Sequence, residues 1–198
     1  APEAPKEKRD GTGAPVRLVS VGRAVEKKGY DDLLKALARL PSGLNWQFTH
    51  IGGGELSNRL KDMAGKLGIS DRIIWRGAQP REAVIETCRR ADLFILPSKL
   101  AKSGDRDGLP NVLMEAQSMG LCCLSTRVSA IPELIDDQQT GVLVAPGTPQ
   151  ALADAMADLI GNPDRRIALG RAAAAKVRRD FSTEPGIDRL AAKFRAVL

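Results

Sequence analysis

Asp107 and Glu115 stand eight positions apart, with Gly108, Leu109, Pro110, Asn111 and an apolar run between them. Gly108 permits a tight backbone turn. Pro110 suits the first position of a helix, where its missing N–H costs nothing. The spacing therefore predicts Asp107 on a loop and Glu115 about one turn into the helix that follows. Both acids then border a helix N-terminus, whose unpaired N–H groups attract anions. A carboxylate accepts hydrogen bonds from two vicinal hydroxyls, which suits Glu115 to a ribose. Asp107 is placed to take hydroxyls on the ligand's other side. The matching ligand class is an anion with hydroxyls on both sides of its charge, such as a nucleotide sugar. The competing reading of Glu115 is a surface acid on an amphipathic helix. Its apolar neighbours Leu113, Met114 and Ala116 speak against a broad polar face.

A second cluster lies near the start, at Gly22-Arg23-Ala24-Val25-Glu26-Lys27-Lys28-Gly29. Gly22 leaves room for a close ligand. Arg23 can grip a phosphate bidentately and Lys28 acts as a point charge. Solvated loop charges remain the alternative for this piece. Gly52-Gly53-Gly54 lacks the Gly-Lys-Ser/Thr ending of a phosphate-binding loop and reads as a tight turn. Gly77, Ala78 and Gln79 offer backbone groups suited to a base. Asp105-Arg106-Asp107 has the Asp-x-Asp spacing that holds a divalent metal on a diphosphate. Lys102 and Arg106 crowd it with positive charge, so no metal is expected. His50, the single histidine, ends a strand and suits a structural or supporting role. No Ser/His/Asp set or Cys/His metal cluster can be assembled.

Alternating strands and helices must position these groups. Short apolar strands are expected at 16–21, 45–51, 72–75, 93–96, 121–125 and 141–144. Helices are expected at 29–40, 55–67, 80–90, 111–119, 131–135, 149–161, 164–180 and 184–197. This order predicts an α/β fold, a Rossmann-like parallel six-stranded sheet with helices on both faces. Ligands in such sheets sit at the C-terminal ends of the strands, near the switch point. Residues 1–15, rich in Pro, Gly and charge, read as a linker or tail, 16–180 as the binding domain, and 181–198 as a further C-terminal helix.

The 198 residues are 43% hydrophobic, 27% charged and 4% aromatic, an ordinary globular balance. No apolar run reaches the length of a membrane span, and the opening residues lack a signal peptide's apolar core. Cys122 and Cys123 sit in an apolar segment and look like reduced core thiols, which points to the cytoplasm. The net charge of +6 suits phosphate ligands and anionic surfaces. It is spread along the chain, which argues against a nucleic-acid surface. Arg165, Arg166, Arg171, Lys176, Arg178 and Arg179 form the one basic stretch. Such a helix suits peripheral contact with anionic lipid at the membrane's inner face; a solvated helix is the plainer reading.

Together, over about residues 16–180, these pieces resemble the C-terminal, nucleotide-sugar-binding domain of a GT-B glycosyltransferase. The group is the large retaining family that includes sucrose synthase and bacterial mannosyltransferases. Gly22-Arg23 through Lys28-Gly29 resembles its diphosphate clamp. Ala91-Asp92-Leu93-Phe94-Ile95-Leu96-Pro97-Ser98 resembles its fourth strand and exit. Asp107 through Glu115 resembles its paired-acid motif, usually two Glu separated by seven residues. Ile131-Pro132-Glu133-Leu134-Ile135 and Gly141-Val142-Leu143-Val144 resemble the segment that follows. Two positions depart from the pattern: Asp107 replaces a Glu, and Ser129-Ala130 replaces a Gly-Gly. Asp-Arg-Asp-Gly-Leu-Pro resembles a branch associated with bacterial exopolysaccharide and lipopolysaccharide assembly.

The resemblance implies that Arg23 and Lys28 bind the diphosphate, Glu115 the ribose and Asp107 the donor sugar. Arg23, Lys28 and Asp107 would carry the chemistry. Gly77, Ala78 and Gln79 would meet the base, with Gly22, Ser98, Gly108, Leu109, Pro110 and Asn111 completing the surface. It implies metal-independent transfer from a UDP- or GDP-sugar, with no cofactor, to a glycan or lipid-linked acceptor held by an N-terminal domain. This chain alone would then bind nucleotide without turnover, and its last helix would pack toward that second domain. A sugar-nucleotide epimerase, a phosphorylase of the same architecture, and a non-catalytic nucleotide-binding module are the alternatives.

Overall fold

The computed structural model describes residues 9–181. The described residues form one parallel sheet of six strands: β1 (Val16–Val21), β2 (Trp46–Ile51), β3 (Ile73–Trp75), β4 (Leu93–Leu96), β5 (Cys123–Thr126) and β6 (Val142–Val144). Their spatial order is β3-β2-β1-β4-β5-β6. β1 pairs with β2 along its whole length and with β4 through Leu18↔Leu93 and Val19↔Phe94. Strand order reverses between β1 and β4, and that reversal opens the crevice where such sheets bind ligands.

Among the described residues seven α-helices connect or follow the strands: α1 (Tyr30–Leu37), α2 (Ser57–Lys66), α3 (Arg81–Arg90), α4 (Asn111–Ser118), α5 (Ile131–Leu134), α6 (Pro149–Gly161) and α7 (Pro163–Asp180). Right-handed crossovers place α1 and α2 on one face and α3, α4 and α5 on the other. α6 packs on α1, and α7 packs on α4. Every residue of β4 and β5 is buried, as an apolar strand covered on both faces must be. Phe48, Phe94, Leu33, Leu93, Ile95 and Leu113 are among the largest fully buried side chains. Each contributes about 1.5–3 kcal/mol by leaving water.

Element ends shift from the sequence expectation for local reasons. The helix expected over 29–40 begins at Tyr30, after a short 3-10 turn, Glu26–Lys28, and a left-handed Gly29. The strand expected at 121–125 begins at Cys123, because the Leu121 N–H still closes α4 on the Ala116 carbonyl. Pro110 takes the cap just ahead of α4 rather than its first helical position. The helix expected over 184–197 lies outside the described residues.

Residues 9–15, the described part of the stretch that composition marks as linker, carry no helix or strand yet are tied down. Arg9 pairs with Asp92 at 3.2 Å. The Asn45 N–H donates to the Gly11 carbonyl at 2.7 Å, and Arg166 donates to the Arg9 carbonyl. Arg166 is therefore turned inward. Lys176 is also buried and pairs with Asp136 at 2.7 Å, while Arg165 pairs with Asp158 and Arg179 with Asp180. Of the basic stretch of α7, Arg166 and Lys176 are thus turned inward, Arg165 and Arg179 pair with acids, and Arg171 and Arg178 are exposed. No helix among the described residues is long and apolar enough to cross a membrane.

Candidate functional site

The exits of β1 and β4 meet because those strands are neighbours. Gly29 holds φ +67°, and a Cβ there would lie 2.0 Å from the Pro97 carbonyl oxygen. Only glycine lets the two loops touch backbone to backbone at this point. The Lys99 N–H then donates to the Lys27 carbonyl at 2.8 Å, and the Lys102 N–H to Glu26 at 3.2 Å. Lys99 Nζ reaches Asp31 at 2.7 Å and Asp32 at 2.9 Å on the first turn of α1. Burial pushes the Asp31 carboxyl up, but the hydrogen bond and charge of Lys99 outweigh it and hold it below the usual range.

The β1 exit is braced from its other side by β2. The Gly22 N–H donates to the Ile51 carbonyl at 2.9 Å, and the Ala24 N–H to the Gly53 carbonyl at 2.7 Å. Leu56 donates back to the Ala24 carbonyl at 3.0 Å. Gly52-Gly53-Gly54 is the tight turn the sequence suggests, and it also supports the loop that carries Arg23. His50 Nε2 lies 3.1 Å from the Gly22 carbonyl oxygen. Its ring sits edge-on to Tyr30 and Trp75. Burial pushes the His50 pKa down to about 4, against the opposing pull of the Gly22 hydrogen bond. The ring is therefore neutral at pH 7, and Nε2 must carry the proton to donate to Gly22.

This depressed pKa has a measurable consequence. Above the unfolded-state value of about 6.5 both states are neutral and the contribution is complete. As pH falls from 6.5 toward 4, the unfolded chain takes up a proton that the folded chain refuses, and stability drops. The loss over that window amounts to about 3 kcal/mol. His50→Gln should remove this slope while leaving the carboxylate titration below pH 5. Urea melts of both proteins between pH 7 and 4 would check it; parallel stability curves would contradict it.

Above this frame lie the charged groups. Asp107 Oδ2 accepts from Ser98 Oγ at 3.1 Å and faces Lys28 Nζ at 2.8 Å. Asp107 Oδ1 is 3.8 Å from Lys27 Nζ, which also pairs with Asp105 at 3.1 Å. Both acids of Asp105-Arg106-Asp107 thus face lysines. Ser98 is fully buried, and its carbonyl accepts from Thr126 Oγ1, so the position of the hydroxyl is fixed by β5. Arg23 is exposed and has no side-chain partner among the described residues.

Glu115 is exposed on α4 and likewise has no side-chain partner among the described residues. It borders a small cleft with Val21, Val84, Cys88, Val112 and Met119, between α3 and α4. The unpaired N–H groups of the first turn of α4, at Asn111 and Val112, open at the same sheet edge. Gly108 is exposed and Leu109 half-buried ahead of that turn. The exposed Gly77, Ala78 and Gln79 follow β3, where the Gly77 carbonyl accepts from Gly52 at 2.8 Å. Ser129 holds φ +50°, a left-handed conformation that glycine adopts without strain. It stands where the resembled pattern has Gly-Gly.

All thirteen residues singled out from the sequence therefore lie along the C-terminal edge of β1, β3 and β4 or at the start of α4. Lys27 and Lys99 are not among them, and Gly52 enters the sequence reading only as part of a tight turn. The run Glu26-Lys27-Lys28 carried a signal for Lys27, since neighbouring lysines on a 3-10 turn can both reach across one crevice. Two larger clefts are present: one of about 400 Å³ beside Arg17, Thr49 and Arg90, and one of about 480 Å³ that borders the loop bridge at Glu26 and Lys99 and extends to Arg59 and Met63. At the charged edge itself Arg23 and Glu115 are exposed, whereas Lys28 and Asp107 are largely covered.

Comparison with known proteins follows the same outline. The family described as glycosyl transferases group 1 matches residues 5–176. The amylovoran biosynthesis glycosyltransferase AmsK of Erwinia amylovora is 36% identical over 175 residues, covering 88% of this chain and 43% of that protein. The GDP-mannose-dependent alpha-(1-6)-phosphatidylinositol monomannoside mannosyltransferase of Mycolicibacterium smegmatis is 30% identical over 164 residues, covering 82% and 43%. Among solved structures, Anabaena HepE in complex with UDP-glucose superposes with a TM-score of 0.78 at 20% identity, covering 95% of this chain and 50% of that one. The chain spans less than half the length of these two curated relatives.

Proposed function

Because this chain belongs to the glycosyl transferases group 1 family, we propose that it is the donor-binding unit of a retaining, metal-independent glycosyltransferase. The observation that carries the proposal is the meeting of Lys28 and Asp107 at 2.8 Å across two loops, with Arg23 exposed and without a side-chain partner among the described residues. That edge holds the groups a nucleotide diphosphate sugar needs. Arg23, Lys28 and the first turn of α4 receive the diphosphate. Glu115 takes the ribose hydroxyls, and Gly77, Ala78 and Gln79 border the base. Asp107 takes hydroxyls of the sugar.

As the bond from the anomeric carbon to the diphosphate breaks, negative charge grows on the leaving phosphate. Arg23, Lys28 and the α4 N-terminus stabilise that charge in place of a metal. Asp107 serves as a hydroxyl acceptor, and no residue of this chain acts as a nucleophile. The acceptor is a glycan or a lipid-linked saccharide of a bacterial cell-surface polysaccharide. It binds to the part of the relatives' length that this chain does not cover. The relatives' names support this setting: AmsK acts in amylovoran biosynthesis. HepE was solved with UDP-glucose and the mycobacterial enzyme is named for GDP-mannose, so both uridine and guanosine donors occur among similar proteins.

Titrating the chain with UDP, GDP and ADP, with and without EDTA, tests the proposal. One diphosphate should bind, with the same Kd in chelator. At about 100 times Kd it should stabilise the fold by about 2.7 kcal/mol in thermal or urea melts. Absence of binding by all three would overturn the donor-site reading, and binding lost in EDTA would overturn metal independence.

A further inference from the structure

Lys27 and Lys28 leave the same 3-10 turn and reach the same loop, but they meet different oxygens. Ser98 and Lys28 both hold Asp107 Oδ2, at 3.1 and 2.8 Å. Lys27 stands 3.8 Å from Oδ1. An Asp carboxylate turns broadly about its last torsion and carries both oxygens with it, so Ser98 and Lys28 on Oδ2 fix it only while Lys28 stays. The Lys27 cation on Oδ1 is the restraint that remains when Lys28 is drawn elsewhere.

The placement of Lys27 is itself well determined. Its carbonyl accepts the Lys99 N–H at 2.8 Å, and Glu26 beside it accepts the Lys102 N–H at 3.2 Å. Its ammonium is anchored by Asp105 at 3.1 Å. The Lys27 side chain is only 18% exposed, against 60% for Asp105. The outer acid therefore acts as a tether that keeps the inner cation on Asp107.

We propose that Lys27, tethered by Asp105, is a positioning residue that aims Asp107 at the donor's sugar and so governs recognition of the sugar rather than of the diphosphate. The inference rests on the donor-site reading above. A diphosphate entering beside Arg23 draws on Lys28, and Lys27 is then the cation left on Asp107. Without it a half-buried carboxylate would lose its counter-charge, and its lone pairs would no longer be fixed against the sugar hydroxyls. Sites that read a hydroxyl by hydrogen bonding depend strongly on such alignment.

The test compares nucleoside diphosphates with their sugars on the whole chain by calorimetry. UDP is paired with UDP-glucose and GDP with GDP-mannose, for the wild type, Lys27→Gln, Lys27→Arg and Asp105→Asn. In Lys27→Gln the ratio of the two dissociation constants should shift by about tenfold or more, with diphosphate affinity held within about threefold. Lys27→Arg, which keeps the charge, should retain the wild-type ratio, and Asp105→Asn should fall between. An unchanged ratio in Lys27→Gln, or equal loss for diphosphate and sugar nucleotide, would overturn the inference. If the wild type binds neither member of either pair, the donor-site reading falls and takes the inference with it. Wild-type binding with an unaltered ratio in the variant removes the inference alone.

Discussion

Arg23→Ala and Lys28→Ala should each weaken nucleoside diphosphate binding by about 10- to 150-fold. A charge-assisted contact contributes about 1.5–3 kcal/mol, and each 1.4 kcal/mol is about tenfold in Kd. The two variants should differ in their side effects. Arg23 is exposed and unpartnered in the described structure, so its removal should leave the melting temperature unchanged. Lys28 neutralises Asp107 at 2.8 Å, with both side chains largely buried. Its removal leaves Asp107 to Ser98 and to Lys27 at 3.8 Å, so some stability should go with the affinity. Raising salt should weaken wild-type binding more than binding by either variant, since fewer charges remain to be screened. Calorimetry at two ionic strengths measures all of this. Dissociation constants within twofold of wild type for both variants would remove the clamp.

Gly52→Ala should be among the most damaging single-methyl changes near the site, alongside Gly29→Ala. Gly52 holds φ +144°, and a Cβ there would sit 2.0 Å from the Gly22 carbonyl oxygen. That oxygen also meets His50 Nε2, so it cannot retreat without breaking the brace. Left-handed strain and overpacking together should cost about 2–4 kcal/mol, or about 5–15 °C in Tm for a chain of this size. The Gly22–Ala24 backbone must move, and Arg23 moves with it. Diphosphate affinity should then fall by about 10- to 100-fold, as small displacements of positioning groups do. Gly53→Ala is the control. A Cβ there meets nothing within 4 Å, so stability should stay within about 0.5 kcal/mol of wild type. Equal behaviour of the two variants in thermal melts would show that the Gly22 contact does not restrain the loop.

Much of this arrangement was legible in the residues. The alternation of short apolar runs with helix-period stretches predicts six strands in chain order, and six are found. The eight-residue offset of Asp107 and Glu115 puts one acid on the loop and the other on α4, as expected, because local geometry sets their separation. Boundaries were less legible. β5 starts at Cys123 because the α4 closing turn uses Leu121, a competition between two apolar readings that periodicity does not resolve. The run of cations at 165–179 looks like one surface, yet Arg166 and Lys176 are buried among partners from distant segments.

By itself, then, the sequence determined the alternating α/β class, the paired acids ahead of and on α4, and the basic turn after β1. Each depends on residues within a few positions of one another, where turn chemistry and helical period act directly. Tertiary structure alone decided that β1 and β4 are neighbours, and hence that Lys28 meets Asp107, Lys27 meets Asp105, and His50 braces Gly22. These contacts join segments of the chain far apart in sequence. Their partners are chosen by strand order and by backbone approaches at Gly29 and Gly52, which no local pattern of residue types encodes.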